Sequence, residues 1–298
     1  MVFLSRLAIF FIVLNCSAFS KSMLGQSVPK DSLVITSWNL HLLPSPVFFR
    51  TKKKKRTQLI IRYFNENREN DLLLFQEVFH SKRRKQLINH LSKVYPYHTP
   101  IVNSARGKLF KTNSGLLIFS KTPFSIEGVV KFNQCSGSDC MAYKGAQMIN
   151  TKINNKTISI INTHLNSEPP RSIALDQMQM IQDSLAKSAY YKTPYVFIGG
   201  DFNINISDSV NYRKMTKVFK TKNKRHYDIT KISSGEKKVK NTLDYIFLYN
   251  SIKSEIKLTS YKYLIGPEWD KDDSKKVYGK TVGLSDHYPV QSILIFED

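Results

Sequence analysis

The chain has 298 residues, of which 41% are hydrophobic, so it can bury a large core, and its composition excludes an intrinsically disordered chain. Lysine and arginine number 45 against 23 aspartate and glutamate residues, which gives a formal net charge of +22. A charge of this size attracts polyanions and anionic membranes, but it does not distinguish between these two classes of partner.

The N-terminus has the pattern of a secretory signal peptide. Arg6 precedes an apolar run over residues 7–14, which is too short to span a bilayer comfortably, and small and polar residues follow it. We therefore expect export of the protein and removal of residues 1–22. The remainder, residues 23–298, shows no repeat and no convincing linker, which favours a single domain. Cys16 is a poor candidate for lipid attachment, because the residue before it is not small.

Removal of that leader leaves two cysteines, Cys135 and Cys140. An even pair in an exported protein favours a disulfide, here closing a very short loop, with two free thiols as the alternative. A zinc site is not expected, because the spacing is not C-x-x-C and the sequence has no second pair.

The predicted elements alternate between apolar strands and amphipathic helices. Strands are predicted at residues 33–38, 72–75, 115–120, 124–132, 147–153, 157–162, 194–198, 241–248, 251–265 and 290–296. Helices are predicted at residues 55–68, 81–94, 172–189 and 207–220, and long polar loops at 221–240 and 266–283. The continuous apolar run at 72–75 is typical of a strand that is covered on both faces.

A loop at residues 42–51 carries Phe48 and Phe49 and leads into four lysines and Arg56. Aromatic rings beside a basic cluster suit a membrane interface, where the rings enter the headgroup region and the cations meet anionic lipid. Packing of the two rings onto the core is the alternative. The other basic runs, such as residues 82–85, are interpreted as solvated surface.

Polar side chains recur where predicted strands begin or end. They are Asn39, Glu77, His164, Asp201, Asn203, Asp244, Asp286 and His287. The pattern is clearest at residues 199–203, where an apolar strand runs into two glycines, a carboxylate and a carboxamide. Side chains at i and i+2 of an extended segment point the same way, whereas a turn after a buried strand is the simpler alternative.

Taken together, these segments resemble the endonuclease/exonuclease/phosphatase superfamily over essentially the whole mature chain. The motifs are Trp38-Asn39, Gln76-Glu77, Thr163-His164, Gly200-Asp201-Phe202-Asn203, Asp244-Tyr245 and Ser285-Asp286-His287. The resemblance implies an α/β fold, a four-layer αββα sandwich of the DNase I-like type. It also implies phosphoester cleavage that depends on Mg²⁺, with Mn²⁺ or Co²⁺ as alternative ions.

The residue types fit this chemistry, because a hard divalent cation on oxygen ligands reduces the charge repulsion that a phosphodiester presents to a nucleophile. The resemblance implies that Glu77 is the main metal ligand and that Asn39 assists it or holds the phosphate. Asp201 and Asn203 are expected to position the attacking water or a second metal-bound water, and both are candidate metal ligands.

The resemblance also assigns proton transfer and charge stabilisation. His164 is expected to hydrogen-bond a phosphoryl oxygen and to stabilise charge in the transition state. His287 is expected to be the general base, oriented by Asp286 through its other ring nitrogen, with Asp201 as the alternative base. Asp244 is expected to be a supporting residue.

Members of this superfamily hydrolyse DNA, RNA, inositol phosphates and sphingomyelin, so the substrate needs a separate signal. Residues 140–146 resemble the Lys-Gly segment of bacterial sphingomyelinases C and neutral sphingomyelinases. Lys144 is expected to meet the lipid phosphate and Gly145 to allow a tight backbone, with an ordinary loop lysine as the alternative. Tyr143 departs from that branch, which more often has a small polar or acidic residue there.

The sequence therefore predicts a secreted, Mg²⁺-dependent sphingomyelin phosphodiesterase that acts at a membrane surface and needs no protein partner. A secreted DNase I-like endonuclease is the alternative, and the positive charge would give it salt-sensitive affinity for nucleic acid. Such nucleases often carry an arginine shortly before the Asp-Tyr pair, where this chain has Asn241-Thr242-Leu243. A basic surface-binding protein without activity is disfavoured, because none of the catalytic positions is replaced.

Overall fold

The computed structural model describes residues 31–44, 51–104, 111–221, 242–250, the backbone of 260–263, and 284–296. The predicted signal peptide, Phe48, Phe49, the loop at 266–283 and nearly all of the loop at 221–240 lie outside the described residues. None of the helices in the described part of the chain has the length and the apolar content needed to cross a membrane.

The element order follows the predicted alternation of strands and helices. The strands are β1 (Ser32–Asn39), β2 (Leu72–Gln76), β3 (Tyr97–His98), β4 (Leu117–Ser120), β5 (Phe124–Lys131), β6 (Gly145–Ile153), β7 (Lys156–His164), β8 (Val196–Asp201), β9 (Asp244–Leu248), β10 (Ser260–Tyr263) and β11 (Val290–Ile295). The helices are α1 (Lys53–Glu66), α2 (Ser81–Leu91), α3 (Arg171–Ile181), α4 (Lys187–Lys192) and α5 (Ser209–Val218). A π-helical segment, Gln182–Ala186, joins α3 to α4, so the long helix predicted at 172–189 is interrupted.

The strands form two mixed sheets, with the orders β10-β11-β1-β2-β4-β3 and β5-β6-β7-β8-β9. β1 is parallel to β2 and antiparallel to β11, while β7 is parallel to β8 and β8 is antiparallel to β9. In the first sheet, the C-terminal ends of β1 and β2 therefore lie at the same edge as the N-terminal end of β11. In the second sheet, the C-terminal ends of β7 and β8 lie at the same edge as the N-terminal end of β9. β1 and β2 pack against β7 and β8, which brings the two sheet edges together.

Three apolar clusters separate four layers. One cluster lies between the sheets and includes Leu74 of β2 and Phe197 of β8. A second joins α1 and α2 to the outer face of the first sheet, and a third joins α3 and α5 to the outer face of the second sheet. The layer order is helices, sheet, sheet, helices, which confirms the predicted αββα sandwich.

A buried polar contact joins the two sheets directly behind the ends of β2 and β7. Gln76 Nε2 donates to Asn162 Oδ1 at 2.8 Å, and Asn162 Nδ2 donates to the carbonyl oxygen of Phe75 at 3.1 Å. Paired polar groups inside an apolar interface fix its register, because a slip would leave them without partners. This contact therefore sets the relative position of the residues that follow each strand.

The predicted disulfide is confirmed: Cys135 and Cys140 are bonded, with their Cα atoms 5.2 Å apart. The closed loop contains a short 3₁₀ turn, Gly137–Met141, in which Asp139 is buried. The covalent closure thus holds a buried carboxylate in a loop that leads into β6.

The interpretation of residues 82–85 as solvated surface is wrong for Arg84, and Arg56, which the sequence places in a basic cluster suited to a membrane interface, is buried as well. Arg56 of α1 is fully buried, and Arg84 of α2 is 4% exposed. Arg84 donates to the carbonyl oxygens of Pro100 and Leu116, which satisfies part of its buried guanidinium. Arginine tolerates such sites because its planar fork can bond several acceptors at once.

Candidate active site

Four polar residues gather where the parallel strands of the two sheets end. Asn39 Nδ2 donates to Glu77 Oε1 at 3.1 Å and to Asp201 Oδ2 at 3.0 Å, so it links the carboxylates of different sheets. His164 Nε2 lies 4.0 Å from Glu77 Oε1 and 3.6 Å from Asp201 Oδ2. The structure therefore brings these four predicted residues into one cluster.

Glu77 follows the last residue of β2 in a left-handed conformation, with φ of 55°. This conformation is uncommon for a residue with a side chain and is often retained at functional sites. Its Oε2 is buried and has no hydrogen-bond partner among the described residues. Burial, reinforced by the charge of Asp286, raises the pKa of Glu77 to about 7. A largely buried carboxylate with an unpartnered oxygen is an unfavourable arrangement that a cation would stabilise.

A second group of donor atoms adjoins this carboxylate. Asp201 and Asp244 face each other across β8 and β9, and one ligand atom from each lies within 4.8 Å of the other and of a ring nitrogen of His287. Carboxylate oxygens are the donors that Mg²⁺ prefers. The donor atoms thus fit a hard divalent cation, and the assignment of Glu77 and Asp201 as its ligands stays a prediction.

The His287 ring is held by Asp244. His287 Nδ1 lies 2.6 Å from Asp244 Oδ2, and because a carboxylate accepts, Nδ1 carries the proton in this contact. His287 Nε2 lies 3.7 Å from Asp201 Oδ2. The main chain is fixed as well, since Trp38 Nε1 donates to the carbonyl oxygen of His287 at 2.9 Å. The second ring nitrogen therefore faces the cluster.

The predicted orientation of His287 by Asp286 is wrong in this geometry. The Asp286 side chain is 43% exposed, and its Oδ2 lies 3.8 Å from His41 Nδ1. Asp286 Oδ1 lies 3.1 Å from Ser285 Oγ, so among the described residues this carboxylate contacts Ser285 and His41 and not the imidazole of His287. Neighbouring residues of this loop point in different directions, so the long-range partner Asp244 takes the role expected of the adjacent residue.

The carboxylates around His287 oppose the effect of burial on its pKa. Burial alone would lower the pKa of His287, but the carboxylates of Asp244, Asp201 and Asp286 together raise it well above its usual value. Burial raises the pKa of Asp244, and the opposing charge of His287 limits that rise. The pair forms a charge-assisted hydrogen bond at the edge of the cluster.

Lys144 is placed differently from the prediction. Its ammonium donates to His164 Nε2 at 3.1 Å and to the carbonyl oxygen of Leu165 at 2.9 Å, and it pairs with Asp139 Oδ1 at 2.5 Å. An ammonium has three N–H donors, so protein groups occupy all of them. Lys144 therefore has no spare N–H donor for a lipid phosphate in this conformation. Asp139 in the disulfide loop is the buried carboxylate that neutralises its charge.

His164 is a neutral base in this setting. Burial, reinforced by the charge of Lys144, lowers the pKa of His164 to about 3. Its Nε2 accepts from Lys144, so its proton lies on Nδ1, which is buried without a hydrogen-bond partner among the described residues. Donation from His164 to a phosphoryl oxygen requires the Lys144 contact to move, and that role stays a prediction.

Asn203 supports the cluster through its backbone and its carboxamide. Its N–H donates to Asp201 Oδ1 at 3.0 Å, and its Nδ2 donates to the carbonyl oxygen of Leu165 at 3.0 Å. Its backbone is left-handed, with φ of 53°. Asn203 thus fixes the carboxylate of Asp201, while its role as a metal ligand stays a prediction.

Gly145 fits the tight backbone expected at the start of β6. A Cβ atom on this residue would lie 1.9 Å from the carbonyl oxygen of Val130 and 2.5 Å from Asn103 Nδ2. Any other residue would force the two strands apart at a position next to Lys144. The glycine therefore fixes the path of the chain on which Lys144 stands.

Arg56 has a structural role that its place in the predicted basic cluster does not indicate. Its guanidinium donates to the carbonyl oxygens of Leu40, Leu284, His41 and Thr51 at 2.6–2.8 Å. These bonds tie the segment after β1 to the segment that carries the Ser-Asp-His motif. The signal was hidden, because Arg56 ends a run of lysines that reads as surface.

A model of the endonuclease/exonuclease/phosphatase family matches residues 36–287, a range that holds every residue of the cluster. The chain belongs to this family. The match confirms the resemblance that the strand-end motifs indicate.

Several relatives are of similar length. The chain is 27% identical over 285 residues to sphingomyelinase C of Listeria ivanovii, covering 86% of this chain and 84% of that protein. It is 26% identical over 287 residues to a phospholipase C of Staphylococcus aureus, covering 87% of this chain and 86% of that protein. Members of the family with these names therefore align with nearly all of the described fold.

Solved structures of the family share the architecture. The crystal structure of SmcL superposes with a TM-score of 0.69 at 24% identity, and the match covers 89% of this chain and 100% of that one. A mutant of beta toxin from Staphylococcus aureus with bound magnesium ions gives a TM-score of 0.67 at 24% identity, covering 88% of this chain and 99% of that one. These neighbours confirm the DNase I-like fold.

The buried, incompletely bonded carboxylate of Glu77 predicts that Glu77→Gln changes the free energy of unfolding. The substitution should stabilise the metal-free protein by about 1–3 kcal/mol, because it removes a buried, incompletely bonded charge. That gain corresponds to roughly 2–4 °C in Tm for each kcal/mol. It should also abolish the rise in Tm that Mg²⁺ causes in the unmodified protein. Thermal unfolding with chelator and with Mg²⁺ measures both effects.

The pH dependence of the same experiment follows from the raised pKa of Glu77. The metal-free fold binds the Glu77 proton more tightly than the unfolded chain does, so protonation of Glu77 stabilises the fold. This contribution to the free energy of unfolding is lost as the pH rises from about 4.5 through 7. Below pH 7 Mg²⁺ must displace that proton, so its effect on Tm should shrink. Glu66→Gln on exposed α1 is the control. An unchanged Mg²⁺ response in Glu77→Gln would remove Glu77 from the metal site.

Proposed function

We propose that the protein is a secreted, Mg²⁺-dependent phosphodiesterase that hydrolyses sphingomyelin to ceramide and phosphocholine. The observation that carries the proposal is the position of the Lys144-Gly145 segment against His164, at the same sheet edge as the carboxylate cluster. The similarity over 86% of this chain to a protein named sphingomyelinase C supports this substrate over nucleic acid. The signal-peptide pattern of residues 1–22 supports secretion.

Glu77 and Asp201 are the residues that would hold Mg²⁺, with the oxygen of Asn39 as a further candidate. In the described arrangement Asn39 Oδ1 accepts from the N–H of His41 at 3.1 Å, so its Nδ2 faces the carboxylates. When bound, the cation supplies a Lewis acid that polarises a phosphoryl oxygen and offsets the negative charge of the cluster. Asn39 keeps both carboxylates in position for it.

His287 is the general base in the proposed reaction. Its Nδ1–H is committed to Asp244, so Nε2 of the neutral imidazole is the atom that can take a proton from water. That neutral form is favoured when a cation is bound, because the charge of the cation opposes the carboxylates that raise the pKa of His287. Nε2 faces Asp201 at 3.7 Å, and Asp201 can orient the same water. Removal of the water proton by Nε2 produces an imidazolium that the Asp244 carboxylate stabilises.

Lys144 orients His164 in the proposed site. The side chain of Lys144 is 6% exposed, and its ammonium contacts the neutral imidazole directly. Because Asp139 neutralises Lys144, the lysine acts by holding the ring of His164, whose Nε2 lies 3.6 Å from Asp201 Oδ2, and not by direct contact with the phosphate.

The test is release of phosphocholine from sphingomyelin vesicles by the purified mature protein, with Mg²⁺ and with chelator. We expect release with Mg²⁺ and none with chelator. A parallel assay follows cleavage of plasmid DNA, because the net charge of +22 is the one feature that favours a nuclease. DNA cleavage without phosphocholine release would replace the lipid substrate with nucleic acid.

A further inference from the structure

A cavity of about 250 Å³ lies beside the active-site cluster, on the side of Lys144. Its walls include Lys111, Lys131, Tyr143 and Lys144, together with the carboxamides of neighbouring residues. None of the described residues that line it carries a carboxylate. Because Lys144 both lines the cavity and contacts His164, the cavity adjoins the site without sharing its acidic residues.

Two of these lysines carry charge that no described carboxylate neutralises. Lys131 Nζ lies 3.8 Å from the ring centroid of Tyr143, and Lys111 Nζ lies 5.0 Å from the same centroid. The two ammoniums are therefore separated by no more than the sum of these distances. A single ring attracts both cations but leaves their mutual repulsion in place, and an anion in the cavity that both lysines line would relieve it. Lys144 differs, since Asp139 neutralises it.

Apolar side chains flank this positive cavity. Met141, next to the cavity-lining segment, is 51% exposed, and Ile101 is 50% exposed. The loop of Ile101 is tied to the cavity wall, because Asn103 Nδ2 donates to the carbonyl oxygen of Tyr143 at 3.1 Å. Exposed apolar side chains beside cations suit the interface of a lipid bilayer, where the former enter the headgroup region and the latter meet phosphate. The same apolar side chains would gain nothing from a nucleic acid backbone.

We infer that this cavity binds the phosphate of an anionic membrane lipid, as a second lipid site beside the catalytic one. The inference rests on the proposed action at a membrane. A lipid held by Lys111 and Lys131 would keep the sheet edge with Lys144 and His164 against the bilayer. The site would then raise binding to mixed membranes and leave the chemical step to the cluster.

Vesicle binding of Lys111→Gln, Lys131→Gln and the double variant tests this site. Cosedimentation with phosphatidylcholine vesicles, with and without phosphatidylserine, should show that each substitution weakens binding to the anionic vesicles about fivefold. The matched control is Lys152→Gln with Lys214→Gln, which removes the same charge from exposed positions elsewhere. We expect the control to lose clearly less, and binding to the neutral vesicles to change little in either double variant.

Equal losses in the two double variants would overturn the inference, because general charge would then explain the binding. Lysine-dependent binding of soluble glycerophosphate, or of duplex DNA, with no effect on vesicles would also overturn the lipid assignment. These vesicles contain no sphingomyelin, so the readout is independent of hydrolysis. Lysine-dependent binding in a protein that releases no phosphocholine would refute the proposed function and uphold this site.

Discussion

Replacement of His287 by alanine is expected to lower kcat for phosphodiester hydrolysis by about 10²- to 10⁴-fold. The imidazole has one nitrogen committed to Asp244 and presents the other to the cluster at 3.7 Å from Asp201. Among the described residues, no other side chain is found with contacts to both Asp244 and Asp201 of this kind. The fold should survive, because Trp38 bonds the main-chain carbonyl of residue 287 and not the ring.

Initial rates on sphingomyelin vesicles at saturating Mg²⁺ give kcat and KM for this variant, and thermal unfolding checks the fold. His90→Ala is the matched control, since His90 lies exposed on α2 and away from the cluster. A His287→Ala protein that keeps its fold and loses less than about tenfold in kcat would pass the role of base to Asp201.

The fold and the position of the site could be predicted because both depend on local pattern. Apolar runs set the strands, and polar residues directly after those runs mark the edge where strand ends meet. The resemblance added the sheet order, which periodicity does not contain. Extension of β8 through both glycines, up to Asp201, is a detail that turn propensity would miss, since glycine and aspartate read equally well as a turn.

Partners within the site could not be predicted, because they depend on packing between distant segments. His287 is adjacent to Asp286 in sequence, yet its ring reaches Asp244, which lies 43 positions earlier. Lys144 reads as a substrate lysine, yet Asp139 and His164 occupy its donors. In each case a loop that the sequence leaves undefined determines which side chain is within bonding distance.

Buried arginines were missed for a different reason. A guanidinium in a basic run resembles solvated surface, and burial is favourable only where carbonyl oxygens converge. Arg56 meets four such oxygens from segments that are far apart in the chain, including that of Leu284. Local composition contains no trace of that convergence.

Asp244→Asn is expected to lower kcat by about 10²- to 10⁴-fold, whereas Asp286→Asn should lower it by less than about tenfold. An asparagine can donate to His287 Nδ1, which would place the ring proton on Nε2 and block the atom that must accept from water. Asp286 is 43% exposed and contacts His41, so its loss leaves the tautomer of His287 unchanged. The two variants remove the same charge from neighbouring positions, and each serves as the control for the other.

The pH profile of kcat/KM separates orientation from simple loss of stability. The Asp244 carboxylate is the strongest of the charges that raise the pKa of His287, and Asp286 is the weakest of the three carboxylates. Because the neutral imidazole is the active form, removing Asp244 should move the acid limb to lower pH even as the maximum rate falls. Asp286→Asn should move the limb in the same direction by a smaller amount. An acid limb that moves further in Asp286→Asn than in Asp244→Asn would restore Asp286 as the partner of the base.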